Sequence, residues 1–205
     1  MAAAWAQAPE PAASSPDPLA PVTGLARKPP AEVAFAEARF SSLLDRPLVV
    51  SGELSWEGGE RLRRHVDMPY VETTLIDGGE VRMHRAGHGT REFSLDRAPP
   101  LKALLESLVA VLSGDRARLR DVFHVQRVDD GAGPTWTLAL TPKSPRLARR
   151  LASITLDGNR HGLRCIEIVE GSGTASIDLL GPLAPRMPAQ PTRAALNKLC
   201  RHAGG

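Results

Sequence analysis

Aromatic residues are scarce in this chain: one Tyr, three Trp and four Phe, 4% of 205 residues. A nucleic-acid reader concentrates positive charge and interleaves it with aromatics. Here 26 Lys and Arg are mixed with 23 Asp and Glu, for a formal net charge of +3. That argues against a nucleic-acid partner and leaves only weak attraction to anionic membrane surfaces. Cysteine is almost missing. Cys165 and Cys200 are too few for a disulfide scaffold and form no CxxC pair. One bridge between them is compatible with an exported chain, and the sequence alone does not place it. Long apolar runs are also lacking. A membrane-spanning helix needs about 18 or more apolar residues, and the best stretch, Leu101 to Leu112, is broken by Lys102 and Glu106.

Catalytic signatures are absent too. There is no Walker loop and no GxGxxG. Gly171-Ser172-Gly173 lacks the spacing of a nucleophile elbow and reads as a hairpin turn. His84 and His88 stand four apart, but Met83-His-Arg-Ala-Gly-His-Gly89 reads as strand and turn, and no third metal ligand has suitable spacing. No two carboxylates pair by position, and the scattered Ser, His and Asp nominate no triad. The expectation is a protein that is not an enzyme and has no cofactor and no metal. Arg146, Arg149 and Arg150 form a small basic cluster, whose ordinary reading is a solvated face.

What is present is a globular composition, 42% apolar and 24% charged. At the N-terminus, Ala6-Gln7-Ala8 is a small-x-small pattern without the basic and apolar regions of a whole signal peptide. It reads as the tail of a signal peptide whose start is missing, hence as an exported chain. Prolines at 9, 11, 16, 18, 21, 29 and 30 make residues 1–30 a flexible, partly extended leader. Residues 184–205, with Pro185, Pro188 and Pro191, read as a mobile basic tail, with one turn of helix at Thr192 to Leu199. The ordered domain is expected over 31–183.

Within that domain, Val33, Ala36, Phe40, Leu43 and Leu44 share one stripe of a helix that Pro47 stops. Period-2 patterning then predicts a strand over Val49 to Trp56, with Gly52, Leu54 and Trp56 on one face. Further strands are expected at Arg61 to Val66, Tyr70 to Ile76, Val81 to His84 and Arg91 to Leu95. Asp77-Gly78-Gly79 supplies a hairpin turn. Leu101, Leu104, Leu105, Leu108, Val111 and Leu112 follow the spacing of an amphipathic helix, started by Pro99-Pro100 and ended by Gly114. Strands resume at Val122 to Val128, Trp136 to Leu140, Ile154 to Leu156, Leu163 to Glu170 and Ala175 to Leu180. Asp157-Gly158-Asn159 reads as a turn, and Ser144-Pro145 as the cap and start of a short helix through Leu151. The class is α+β: a sheet of nine or ten antiparallel strands, wide enough to curl, with short helices over an apolar concave face. That arrangement suggests a cavity.

Several stretches in this order resemble one family. Phe35-Ala-Glu-Ala-Arg-Phe40, Gly52-Glu-Leu-Ser-Trp56, Trp136-Thr-Leu-Ala-Leu-Thr-Pro-Lys-Ser144 and Ile154-Thr-Leu-Asp-Gly158 are together similar to the LolA family of outer-membrane lipoprotein carriers. The likeness spans roughly residues 31–180 and is nearest to a divergent branch associated with aryl-polyene and other acyl-lipid pathways. It implies a half-open β-barrel with a helical lid over a hydrophobic cavity. It also implies a periplasmic carrier of an acylated lipid or lipoprotein, with an inner-membrane releasing complex and an outer-membrane acceptor as partners, acting as a monomer. One departure stands out. Where the family's first strand leads into Arg-Pro, this chain has Glu57-Gly58-Gly59-Glu60. The lid-locking role is not carried to Arg46-Pro47, which precedes the strand, and the cargo stays open between lipoprotein, glycolipid and polyene lipid.

An acyl site needs a dry apolar wall, since each buried methylene contributes about 0.8 kcal/mol. The wall candidates are Leu54, Trp56, Phe93, Leu95, Trp136, Leu138 and Leu140. Lid candidates are Leu101, Leu104, Leu105, Leu108 and Leu112, with Phe35 and Phe40 from the first predicted helix. The alternative is a filled core in an envelope interaction or sensor module that binds a protein partner.

Overall fold

The computed structural model describes residues 17–24, 26–129 and 133–202. The Ala6-Gln7-Ala8 motif lies outside them. Eleven strands form one antiparallel sheet: β1 (Ala31–Phe40), β2 (Leu48–Gly58), β3 (Arg61–Met68), β4 (Glu72–Asp77), β5 (Glu80–Arg85), β6 (Gly89–Ser94), β7 (Phe123–Arg127), β8 (Thr135–Pro142), β9 (Leu151–Asn159), β10 (Gly162–Glu170) and β11 (Ala175–Leu180). Their order is β6-β5-β4-β3-β2-β1-β11-β10-β9-β8-β7. The helices are α1 (Ala20–Thr23), α2 (Pro99–Ser113), α3 (Arg116–Val122), α4 (Pro145–Ala148) and α5 (Arg193–Arg201), with 3-10 turns at Leu95–Arg97 and Gly181–Arg186.

The topology explains the curl. Chain neighbours pair as hairpins, except that β1 and β11 join the two halves of the sheet in antiparallel register, Phe35 opposite Leu180. The edges are then β6 and β7, consecutive in the chain and linked only through α2 and α3. A sheet of this width, about 48 Å at ~4.8 Å per strand, tends to curl. The sheet curves, and the linking helices lie in its trough. Helix α2 starts on prolines in its first turn and stops at Gly114, whose left-handed backbone (φ 70°) turns its N–H back to Ala110 O and Val111 O; glycine takes that conformation without a Cβ penalty.

Two expectations are corrected. The stripe of Val33, Ala36, Phe40, Leu43 and Leu44 is not a helix: the first three lie on β1, and Leu43 and Leu44 follow it, exposed. Both faces of this central strand are covered: Phe35 is buried on the side of α2, and Ala38 on the side of α5. A strand buried on both faces loses the alternation that marks a strand in sequence. The second correction concerns the tail. Residues 184–202 are packed, not free. Thr192 Oγ1 accepts from Ala195 N and caps α5, Leu196 is fully buried, and Cys200 is bonded to Cys165 on β10. Its apolar anchors are too few to stand out from the surrounding prolines and cations. Smaller shifts occur as well. Ser144 precedes α4 but makes no side-chain cap, and α4 ends at Ala148. Asp157-Gly158-Asn159 lies within β9.

Candidate lipid-binding face

Strand register sorts the side chains onto two faces. On the inner face, beneath α2, stand Trp56, Leu54 and Val50 of β2; the register brings Leu62 and Val66 of β3 beside them, then Ile76 and Val81. In the other half, Leu138 pairs with Leu156 and Leu140 with Ile154, and both pairs are fully buried. Helix α2 lies between the halves. Leu105 and Val109 join the cluster of Trp56, Leu62, Ile76, Val81 and Leu95, while Ala103, Ala110 and Val111 join the cluster of Phe35, Trp136, Leu138 and Leu140. Leu108 packs against both. A helix with apolar neighbours on two sides behaves as the filling of a trough, more than as an amphipathic surface helix.

Most of the predicted wall and lid residues therefore meet. Trp56, Leu95 and Leu105 are buried together, with Phe93, Leu101 and Leu112 packed against them. Phe35, Trp136, Leu138 and Leu140 are buried in the larger cluster, with Leu54 against it. Phe35 reaches this wall from β1, not from a helix. Phe40 does not belong: it packs on the outer face, against the cluster of Leu196 and Cys200 beneath α5. The side chain of Leu104 lies outside the described residues. Leu19 and Val22 were not expected. They are fully buried in the larger cluster, although the leader around them has the composition of a disordered segment. Two aliphatic residues beside Pro18 and Pro21 form no periodic pattern, so the local sequence does not mark them as core.

The inner face also carries charge. Arg64 Nη2 donates to Glu37 Oε2 at 2.6 Å, and its guanidinium lies 4.6 Å from the centre of the Phe35 ring. Asp178 sits directly across the ladder from Glu37. Burial, reinforced by the Glu37 charge and opposed by Arg64, holds the Asp178 carboxyl well above the usual carboxylate range. A pocket of about 390 Å³ opens at the rim, lined by Glu60, Glu80, Asp96, Lys102 and Glu106 beside Leu95 and Leu105. Its polar lining sets it apart from the apolar wall. On the outer face, Glu167 Oε1 accepts from both Nε and Nη2 of Arg193 and Asp157 lies 3.8 Å from Arg201, so β9 and β10 clamp α5. Burial raises the Asp157 carboxyl, against the Thr137 hydroxyl and Arg201.

The fold is a curved antiparallel sheet with its apolar face under a helix. The family model described as outer membrane lipoprotein carrier protein LolA-like matches residues 12–203, and the chain belongs to that family. The family's members are carrier and binding proteins. Comparison with curated proteins finds no match. Among solved structures, the chain is similar to a LolA superfamily protein from Nitrosomonas europaea (12% identity, 80% of this chain and 90% of that one, TM-score 0.40). It is also similar to LprF from Mycobacterium bovis (15%, 82% and 93%, TM-score 0.36) and to a beta-barrel-like protein of a domain of unknown function from Brucella abortus (13%, 74% and 95%, TM-score 0.27).

Proposed function

We propose that this protein is an exported, non-catalytic carrier that takes the acyl chain of a lipid or lipoprotein onto its inner face and moves it between the inner and outer membranes. The observation that carries the reading is the pair of apolar clusters that β2 to β5 and β8 to β10 present on the two sides of α2, joined through Leu108. It offers dry surface with few hydrogen-bonding groups, which is what an alkyl chain needs. Export is supported by the Cys165–Cys200 bridge, since such bonds persist in oxidising compartments. Among the described residues no helix is long and apolar enough to cross a membrane. In this reading the protein works as a periplasmic monomer between an inner-membrane releasing complex and an outer-membrane acceptor. Its cargo is a lipoprotein, a glycolipid or a polyene lipid.

A second reading has its own support. Leu138, Leu140, Ile154 and Leu156 are fully buried, as in a filled sheet that serves as an envelope interaction or sensor module. Native mass spectrometry of the purified chain, with displacement of a fluorescent fatty acid from the same sample, separates the two. The carrier is expected to show a co-purifying lipid mass or saturable acyl binding at micromolar concentration or tighter. A folded sample with neither gives way to the interaction module.

A further inference from the structure

The segment that carries Leu19 and Val22 combines deep burial with weak attachment. Both side chains are completely buried in the main apolar cluster. Leu19, at the start of α1, and Val22 within it stand three apart, while Ala20 and Gly24 are exposed, as are residues 26–30. The segment lies outside every ladder of the sheet, and Pro18 and Pro21 have no amide to donate. Among the described residues its moorings are few. Asp17 accepts from Arg116 Nη1 at 2.7 Å and from Arg120 Nη2 at 2.6 Å, both on α3, and pairs this exposed hold weakly. Arg27 N donates to Leu112 O near the end of α2 at 2.8 Å, and the Arg27 guanidinium donates to His161 O in the β9–β10 turn. Pro29 lies against Gly58, where β2 turns into β3. The chain thus runs as a strap from α3, past the end of α2 and two hairpin turns, before entering β1.

We infer that residues 17–24 are a displaceable plug of the acyl site: Leu19 and Val22 fill apolar space that the cargo's alkyl chain takes over when it binds. This rests on the carrier reading above. Apolar burial is non-directional, so an alkyl chain replaces two aliphatic side chains without any matching of hydrogen bonds. Segments with few buried contacts and no ladder are the first to open in a native protein. The plug keeps the wall dry when no cargo is present. It also lowers apparent affinity by the fraction of molecules in which it is open.

The test compares the full chain with two full-length variants, using dansyl-undecanoic acid as the probe and circular dichroism to check folding. Leu19→Ser/Val22→Ser removes both anchors and is expected to bind at least about tenfold tighter than the unmodified chain. Asp17→Asn leaves the buried side chains in place and weakens only the mooring, so an improvement of about two- to fivefold is expected. In the unmodified chain, lauric acid should speed hydrogen exchange at the amides of residues 19, 20 and 22–24. Equal binding by all three chains, with exchange unchanged, would overturn the plug alone and make Leu19 and Val22 permanent core. No binding by any folded chain would overturn the carrier reading and the plug together. If the double variant does not fold, Asp17→Asn and the exchange experiment decide the matter by themselves.

Discussion

Gly158 faces the Trp136 indole across the β8–β9 ladder, and the two are register partners. A Cβ on Gly158 would stand 2.0 Å from the indole ring, far inside any real contact. The ring cannot swing away freely, because Trp136 Nε1 donates to Asn159 O at 3.1 Å. Gly158→Ala is therefore expected to cost about 1–3 kcal/mol, as overpacked cores do, read as a lower midpoint in urea or thermal unfolding. Unchanged stability would mean that the indole has another place to go. Asp178 offers a residue-scale prediction about pH. Its carboxyl is raised by burial, so the folded chain binds that proton more tightly than the unfolded chain does. The stability linked to it is fully present below the unfolded value of 3.8 and is lost as pH rises through the folded value. Asp178→Asn should melt at a higher temperature than the unmodified chain at pH 8, with the gap closing as pH falls towards about 4. A gap that stays constant or reverses would show that Arg64 outweighs the burial.

At the scale of elements, α5 is the clearest case of tertiary structure overriding local sequence. Nine residues is short for a helix in water, and this one stands because it is fastened. Leu196 is buried beneath it, Arg193 pairs with Glu167 at 2.7 Å, Arg164 Nη1 donates to His202 O, and Cys200 is bonded to Cys165. The bridge spans 35 residues, and loop-closure entropy for that length amounts to about 3–4 kcal/mol. Cys200→Ser is expected to lose stability of that order, and reductant should lower the melting temperature of the unmodified chain but not of the variant. If reductant leaves the unmodified chain unaffected, the ion pairs and Leu196 hold α5 without the bridge. Helix α2 behaves differently. Its start, end and apolar spacing were legible, because Pro99, Pro100, Gly114 and the leucines are local signals. Its burial on two sides was not, because that depends on which strands flank it.

Across the whole molecule, the meander of hairpins could be read from turns and alternation, and with it the curved sheet and most of the apolar wall. The edges also follow local rules: β6 presents exposed Thr90, Arg91 and Glu92, which discourages pairing with another chain. Hydrophobic period and turn chemistry, which act over a few residues, were enough for β2 to β11, the class of fold and the apolar residues on β2 and β8. Long-range packing, by contrast, made β1 a central strand covered on both faces and turned Phe40 away from the wall. It alone decided that Cys165 meets Cys200, and that a proline-rich leader places Leu19 and Val22 in the core. Each of these depends on contacts between segments far apart in the chain, where burial comes from the partner element and leaves no period in the local sequence.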